Sequence, residues 1–200
     1  MIKRLFDFMF SLIGLLLLSP ILIYVIIRLK LDSPGPIFYK GKRVGRHGKP
    51  FGMYKFRTMY IDADNMSLSP NAGDDDPRIT KFGKKIRSNK LNEIPQLINV
   101  LKGEMSFVGP RPEVQRYVDI FTEEEKTILN VRPGITDYSS IKFHNEGEIL
   151  AGSPDPDKAY EELIRPEKLR LQLEYVKNCS IWVDIKILFK TMAMLIKTRS

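Results

Sequence analysis

Residues 8–27 read FMFSLIGLLLLSPILIYVII, a run that contains no charged side chain. A helix of about 20 apolar residues is long enough to cross a hydrocarbon core of roughly 30 Å. Ser19 and Pro20 interrupt the run near its middle, and a proline inside a helix removes a hydrogen bond and kinks or breaks the helix. In lipid the freed backbone groups need partners close by, and the Ser19 hydroxyl can supply one. The stretch therefore predicts a membrane-inserted helix that is broken at Ser19-Pro20.

Basic residues flank this run on both sides, with Lys3 and Arg4 before it and Arg28 and Lys30 after it. Lys and Arg next to membrane segments favour the cytoplasmic side. A helix that enters and leaves the bilayer by one face places both basic ends there, which predicts a re-entrant hairpin over residues 1–31. A kinked helix that spans the bilayer is the alternative. A signal peptide is disfavoured because the apolar run is too long and lacks a small-residue cleavage site.

The rest of the chain is long enough for one folded domain, because about 170 of the 200 residues follow the apolar run. Hydrophobic residues make up 43% of the chain, which is ordinary for a globular protein. The formal net charge of +8 favours an anionic partner, such as a membrane leaflet, a phosphorylated substrate or nucleic acid. The single cysteine, Cys179, excludes an internal disulfide and is expected to be packed in the interior.

A β-hairpin is predicted between residues 37 and 59. Residues 37–39 (IFY) and 51–59 (FGMYKFRTM) have strand-like compositions and are separated by a basic, glycine-rich loop. Side chains alternate along a strand, so Lys55 and Arg57 are expected to lie on one face. Two cations on one face can bind a diphosphate, whereas a solvated basic face is the other interpretation.

A polar segment over residues 62–76 is predicted to be a long loop. It ends in three consecutive aspartates, Asp74, Asp75 and Asp76. Adjacent carboxylates rarely converge on one cation without the wider spacing of an EF-hand loop. A solvated turn is therefore favoured over a metal site.

The next helix is predicted from the apolar spacing of residues 91–101. Pro95 lies inside this pattern, so the helix is expected to bend or to begin there. Asn92 and Glu93 lie just before that proline. Groups at the start of a helix face the positive end of its dipole, a position that favours anions and phosphate.

Two arginines lie beside stiff turns. Arg111 has a proline on either side in the sequence GPRP, and Arg132 directly precedes a Pro-Gly pair. A restricted backbone holds such a side chain ready at a low entropic cost. Both arginines are therefore candidate ligands for a phosphate group.

The last segment, residues 181–198, is predicted to be a basic amphipathic helix. Trp182 and Phe189 share its apolar face with aliphatic residues at helical spacing, and lysines surround that face. Such a helix can lie in the headgroup region of a membrane or pack on the core of its own domain. The elements together predict an α/β fold. A compact cytoplasmic domain over residues 32–200 would place helices around a small antiparallel sheet, behind the N-terminal membrane hairpin.

Four ordered motifs resemble those of the bacterial sugar transferases. They are YKFRTM (54–59), DDPRITKFGKKIRSNKLNEIPQLINVLKGEMSFVGPRPE (75–113), RPGIT (132–136) and the long C-terminal helix that ends in the amphipathic tail. The resemblance covers essentially the whole chain, including the apolar run broken by Ser-Pro. It is to the small monotopic polyprenol-phosphate phosphoglycosyl transferases, in which the N-terminal helix enters and leaves one leaflet.

The resemblance implies transfer of a sugar 1-phosphate from a UDP-sugar to a polyprenol phosphate, with release of UMP. This would be the first membrane step of glycan assembly, at the cytoplasmic face of the bacterial inner membrane. The resemblance also implies Mg²⁺ as cofactor, Glu93 as its ligand, and an aspartate that forms a covalent phosphosugar intermediate. Membrane lipid is an expected partner, and a homodimer is allowed. The candidate phosphate ligands are five cations: Lys55, Arg57, Arg78, Arg111 and Arg132.

The chain departs from the family pattern at the nucleophile, because Asn92 stands at the position of the catalytic aspartate. A neutral amide oxygen is a poor nucleophile towards phosphorus. Three explanations stay open. The residue was changed deliberately, or Glu93 or another carboxylate attacks in a natural variant, or the lipid phosphate attacks directly while Glu93 holds the metal.

Two other classes of function compete with this interpretation. A catalytically inactive family member that binds lipid or nucleotide sugar as a membrane-bound scaffold would account for Asn92, and it would release no UMP. A membrane-tethered nucleic-acid binder is suggested only by the charge. The chain lacks a regular basic helix and an aromatic-studded strand motif, so no nucleic-acid partner is predicted.

Overall fold

The computed structural model describes residues 2–61 and 76–197. The helices in these ranges are α1 (Ile2–Leu17), α2 (Ser19–Asp32), α3 (Lys81–Ser88), α4 (Gln96–Lys102), α5 (Gln115–Val118), α6 (Glu123–Lys126), α7 (Tyr138–Lys142), α8 (Glu146–Leu150), α9 (Pro156–Ala159), α10 (Arg165–Asn178) and α11 (Ile181–Lys197). The strands are β1 (Phe38–Val44), β2 (Pro50–Phe56), β3 (Ser106–Val108) and β4 (Gly134–Thr136). The predicted loop over residues 62–76, with Asp74 and Asp75, lies outside the described residues except for Asp76.

Helices α1 and α2 meet at Ser19-Pro20, where the helix axes differ by 60°. Pro20 lies in the first turn of α2, a position that requires no backbone N–H donor. The Ser19 hydroxyl donates to the Leu16 carbonyl at 2.7 Å, so the predicted break is confirmed. No single helix of the described ranges is long and apolar enough to cross a membrane. The bent pair meets that test of length and composition only when its two helices are taken together.

Both ends of the bent pair are fastened to the same folded domain. Near the start of α1, Arg4 donates to two carbonyls at the C-terminal end of α4, at 2.6 and 2.7 Å. One turn later the buried Asp7 accepts from the Ser106 hydroxyl and the Phe107 N–H of β3, both at 3.1 Å. Near the end of α2, Leu29 is buried in a core formed with β2 and α3. The helix pair therefore leaves this domain and returns to it.

Large apolar side chains around the bend are exposed. Leu16 and Leu17 are 66% and 73% exposed, and Ile23 is 57% exposed. Exposed apolar side chains grouped in this way are typical of a contact surface for lipid or for another protein. These side chains belong to the end of α1 and the start of α2, on both sides of Ser19-Pro20. They therefore lie between the two ends of the pair that contact the domain. The domain boundary predicted after residue 31 stays a prediction.

The predicted C-terminal amphipathic helix is present as α11. It packs on the domain through a face centred on Asp184 and Ile187, where Asp184 pairs with Lys3 of α1. The apolar face predicted from the sequence points elsewhere, and Trp182 and Phe189 are 77% and 68% exposed. The helix therefore packs on the core with one face and presents aromatic side chains with another.

The predicted hairpin is present, but the sheet is not a single one. β1 and β2 pair antiparallel, with Phe38 opposite Phe56. β3 and β4 form a second, parallel pair, with Ser106 opposite Gly134. The prediction of one small antiparallel sheet is therefore wrong. The described residues contain two separate two-stranded sheets. A parallel pair needs a long connection, and α5 and α6 lie in the connection from β3 to β4.

The helix predicted over residues 91–101 begins at Pro95, which is the N-cap residue of α4. Asn92 and Glu93 lie before it, in a separate 3₁₀ turn formed by Leu91–Glu93. Lys90 precedes this turn with a φ of 56°, a left-handed conformation that few non-glycine residues adopt. The Asn-Glu pair is therefore placed by a sharp reversal between α3 and α4.

Cys179 is exposed, so its predicted packing in the interior is wrong. It is the C-cap residue of α10, in the short connection to α11. The apolar faces of the two helices provide the packing there, and the connecting residues face solvent.

Candidate functional site

Glu93 lies at the centre of a charged cluster whose members come from three parts of the chain. Its Oε1 accepts a hydrogen bond from Lys55 Nζ at 2.9 Å and another from the Arg111 guanidinium. Lys55 belongs to β2, Glu93 to the turn before α4, and Arg111 to the loop after β3. The three side chains are between 20 and 24% exposed. The cluster is therefore partly buried and open to solvent on one side.

The electrostatics of this cluster keep its carboxylate ionised. Burial on its own would raise the pKa of Glu93, but Arg111 and Lys55 together hold that pKa well below its usual value. The negative charge of Glu93 raises the pKa of Arg111. Burial lowers the pKa of Lys55, while Glu93 opposes that shift. Glu93 therefore supplies a fixed negative charge and is poorly suited to carry protons near neutral pH.

Asp137 fixes the loop that carries Arg111. Its side chain is buried and accepts from the Arg111 backbone N–H at 3.2 Å. Gln172 of α10 donates to Asp137 and to the Arg111 carbonyl, both at 3.3 Å. The restraint predicted from the two prolines is thus reinforced by a carboxylate and an amide. Asp137 was not among the predicted site residues, although its position as the N-cap of α7 is a local signal.

Arg57 does not join the cluster. It lies one residue beyond the end of β2, and its N–H still donates to the Ile37 carbonyl at 2.9 Å. The predicted pairing of Lys55 and Arg57 as two cations at one site is wrong, because Lys55 contacts Glu93 and Arg57 contacts the end of α2. The Arg57 guanidinium is buried and donates to three backbone carbonyls, those of Leu29, Ser33 and Pro34. It fastens the C-terminal end of α2 to the hairpin.

The other two predicted phosphate ligands have partners of their own. Arg78 forms an ion pair with Asp76 at 2.5 Å. Arg132 donates to the Gly103 carbonyl at 2.9 Å, at the opposite end of α4 from Glu93. Of the five predicted phosphate ligands, all within the described ranges, Lys55 and Arg111 are in contact with Glu93. A role for Arg78 or Arg132 in phosphate binding stays a prediction.

Two oxygen atoms of the Asn-Glu pair have no partner among the described residues. Asn92 is 9% exposed, and its buried Oδ1 accepts no hydrogen bond there. Glu93 uses only Oε1 in its two ion pairs, and Oε2 accepts none within the same ranges. A buried oxygen without a partner costs free energy. The pair therefore offers two oxygen atoms, one from each residue, that are not engaged by the described residues and can serve a ligand.

These donors fit Mg²⁺, which prefers oxygen ligands and is commonly held by one or two carboxylates together with substrate phosphates. Glu93 offers a carboxylate and Asn92 a neutral oxygen. No group of three His, Cys, Asp or Glu side chains suited to a metal occurs in residues 2–61 and 76–197. Substrate oxygens and water would therefore have to complete the coordination.

The chain belongs to the bacterial sugar transferase family. The sequence model of that family, described as bacterial sugar transferase, matches residues 1–198. An undecaprenyl-phosphate glucose phosphotransferase of Komagataeibacter xylinus is 37% identical over 99% of this chain. A UDP-glucose:undecaprenyl-phosphate glucose-1-phosphate transferase of Escherichia coli is 36% identical over 96% of it. An uncharacterised sugar transferase, EpsL of Bacillus subtilis, is 37% identical over 95% of it.

The relatives differ in how much of their own length this chain covers. The match spans 36% of the K. xylinus protein and 39% of the E. coli protein, but 85% of EpsL. The family resemblance seen in the sequence motifs is confirmed. The chain corresponds to a little over a third of the first two relatives.

Proposed function

We propose that this chain is a phosphoglycosyl transferase that moves a sugar 1-phosphate from a UDP-sugar to a polyprenol phosphate and releases UMP. The proposal rests on the cluster in which Glu93 is held between Lys55 and Arg111. The names of the relatives support the class of acceptor and, for the E. coli protein, a UDP-sugar donor. The scaffold alternative has no support beyond Asn92.

The cluster suits phosphoryl transfer because that reaction is catalysed mainly by positioning and by offsetting charge on phosphoryl oxygens. The planar guanidinium of Arg111 can bind two oxygens of one phosphate, and Lys55 adds a second positive charge. Glu93 holds both cations in place. Mg²⁺ bound by Glu93, with Asn92 Oδ1 as a second donor, would supply further charge neutralisation.

The geometry weighs against Glu93 as the nucleophile. Its Oε1 is engaged by two cations, and its strongly lowered pKa describes a weakly basic oxygen. A carboxylate in that state attacks phosphorus poorly. Direct attack by an oxygen of the acceptor phosphate requires no nucleophilic side chain, and we propose that it operates in the native chain.

We propose that the bent helix pair is re-entrant and seats the domain on the cytoplasmic face of the inner membrane. Contacts from both ends of the pair to one domain support this geometry. The exposed apolar residues around the bend and the exposed Trp182 and Phe189 of α11 offer surfaces for lipid. At such a surface a dissolved donor and a lipid-anchored acceptor can reach the same cluster.

Release of UMP tests the proposed function. The purified chain in lipid nanodiscs is expected to release UMP from UDP-glucose or another UDP-sugar when undecaprenyl phosphate is present. EDTA should abolish this release, and added Mg²⁺ should restore it. Reactions without the lipid acceptor serve as the control for hydrolysis of the donor. If a panel of UDP-sugars gave no UMP above that control, the scaffold alternative would replace the proposal.

Cysteine labelling in intact cells tests the topology. Ile2 and Lys42, both exposed, would be changed singly to cysteine after Cys179, which is also exposed, has been replaced by serine. For a re-entrant pair we expect a membrane-impermeant maleimide to label neither site from outside. Both sites should react after the cells are permeabilised, which controls for access. Labelling of one site alone in intact cells would establish a spanning helix.

A further inference from the structure

A third cation lies on the hairpin face that carries Lys55. In the antiparallel register of β1 and β2, Tyr39 lies directly opposite Lys55. Residues opposite each other project from the same side of a strand pair, and side chains two apart share a face. Arg43, four residues beyond Tyr39 on β1, therefore projects from the same face as Lys55.

The Arg43 side chain folds back along β1 towards that residue pair. A Cβ placed on Gly41 would lie 3.3 Å from Nη1 of Arg43 and 3.2 Å from Cε1 of Tyr39. The guanidinium therefore lies over Gly41, and it points along β1 from Arg43 towards Tyr39 and Lys55. Glycine leaves room for this conformation because it has no side chain.

Arg43 forms no ion pair within the part of the chain that the structure describes. The Glu93 carboxylate is already shared by Lys55 and Arg111. Glu113, two residues after Arg111, is paired at 2.6 Å with Lys168 of α10. Nη1 of the guanidinium donates to the backbone carbonyl of the preceding residue at 2.9 Å. Its other N–H groups donate to no described residue.

Arg43 nevertheless belongs to the electrostatic environment of the cluster. Burial lowers its pKa, the positive charge of Arg111 lowers it further, and Glu93 is among the groups that oppose the shift. Arg43 in turn contributes to the lowered pKa of Lys55. Like charges held together at a partly buried site destabilise one another unless an anion joins them.

We propose that Arg43 binds a phosphoryl group of the substrate, beside Lys55 and Arg111. The identity of the substrate rests on the proposed function. A guanidinium with unused N–H groups can form two parallel hydrogen bonds to one phosphate. Both the nucleotide donor and the lipid acceptor carry phosphate, so the contacts of Arg43 define only the group that it binds. The KM values for the two substrates show which substrate provides that group.

The test compares Arg43→Gln with Lys42→Gln. Both substitutions remove one positive charge from β1, but Lys42 is exposed and projects from the opposite face of the strand. We expect Arg43→Gln to raise the KM for one substrate about tenfold, and Lys42→Gln to leave both KM values within about twofold. A raised KM for the UDP-sugar assigns Arg43 to the donor, and a raised KM for undecaprenyl phosphate assigns it to the acceptor. Arg43→Lys should recover part of the loss, because it restores charge without the planar fork.

A binding measurement separates this proposal from the proposed function. Titration calorimetry with inorganic pyrophosphate requires no turnover, and we expect Arg43→Gln to bind it at least about fivefold more weakly than the native chain and Lys42→Gln. Thermal unfolding verifies that each variant is folded. Unchanged KM values together with unchanged pyrophosphate affinity in folded Arg43→Gln would overturn the proposal. If the native chain binds pyrophosphate through Arg43 but releases no UMP, the proposed function fails and the phosphate site stands.

Discussion

Replacing Glu93 with glutamine is expected to lower kcat/KM for UMP release by about 100-fold or more, the size of effect that follows removal of a preorganised electrostatic group. Glutamine keeps the shape of the side chain but removes the charge that holds Lys55 and Arg111 together. The two cations then repel each other and lose their alignment towards the phosphoryl oxygens. Initial rates of UMP release, measured at several Mg²⁺ concentrations, provide the comparison.

Glu123→Gln provides a matched control for this measurement. The Glu123 side chain is 90% exposed and pairs with Lys126 within the same helix, so it neutralises a cation without contributing to the cluster. Its loss should leave kcat/KM unchanged. Equal activity of Glu93→Gln and the native chain, with both proteins folded, would remove Glu93 from the reaction.

The same substitution carries a prediction for stability and its pH dependence. Breaking a buried ion pair costs about 3–5 kcal/mol, and partial exposure of this cluster reduces the expected loss to about 1–3 kcal/mol. Folding lowers the pKa of Glu93 from its usual 4.5. Its contribution is therefore fully present above that pH and is lost as the pH falls towards the folded value. The difference in unfolding temperature between the native chain and Glu93→Gln should be full at pH 7 and should shrink steadily as the pH falls below 4.5. A difference that does not depend on pH would contradict the assigned charge.

Features encoded by a few neighbouring residues could be predicted from the sequence. The break at Ser19-Pro20 follows from the missing N–H and the ring of proline. The start of α4 at Pro95 follows from the same chemistry. The hairpin was recognisable from two strand-like runs around a glycine-rich loop. In each case the residues that determine the structure lie close together in the sequence, within one helical turn or one pair of neighbouring strands.

Features that depend on distant partners were not predictable in this way. Glu93 meets Lys55 across 38 positions and Arg111 across 18, and nothing local to Glu93 specifies either contact. The parallel pairing of β3 and β4 depends on Gly109 and Gly134, because a Cβ on Gly134 would overlap the Gly109 backbone. The sequence contains both glycines but does not show that they approach each other.

Arg43 and Arg57 differ in how well the alternation of side chains along a strand predicts their positions. Alternation along β1 places Arg43 on the face that carries Lys55. Arg57 lies one residue beyond β2, and its guanidinium contacts the end of α2 although its N–H still pairs with the Ile37 carbonyl. The carbonyls that bind Arg57 come from the end of α2 and the turn after it, a contact with no signature in the hairpin.

Replacing Asn92 with aspartate is expected to increase the rate of UMP release at least about tenfold, a decrease of about 1.4 kcal/mol in activation free energy. The substitution places an anionic oxygen at the position of the family's nucleophile, where the native amide is a poor one. It also preserves the packing, because the two side chains have nearly the same shape. Within residues 2–61 and 76–197, the Asn92 Oδ1 accepts no hydrogen bond and the amide N–H groups donate none.

The stoichiometry without an acceptor distinguishes the two routes of attack. If Asp at position 92 attacks the donor, the variant should release about one equivalent of UMP per protein before any lipid phosphate is added, because the phosphosugar stays attached to the protein. The native chain should release none under those conditions if the acceptor phosphate attacks directly. Asn89→Asp, three positions away on the exposed end of α3, makes the same chemical change outside the cluster and should behave as the native chain does. Equal rates for Asn92→Asp and the native chain, with no early release of UMP from either, would mean that position 92 does not serve as the nucleophile in this chain.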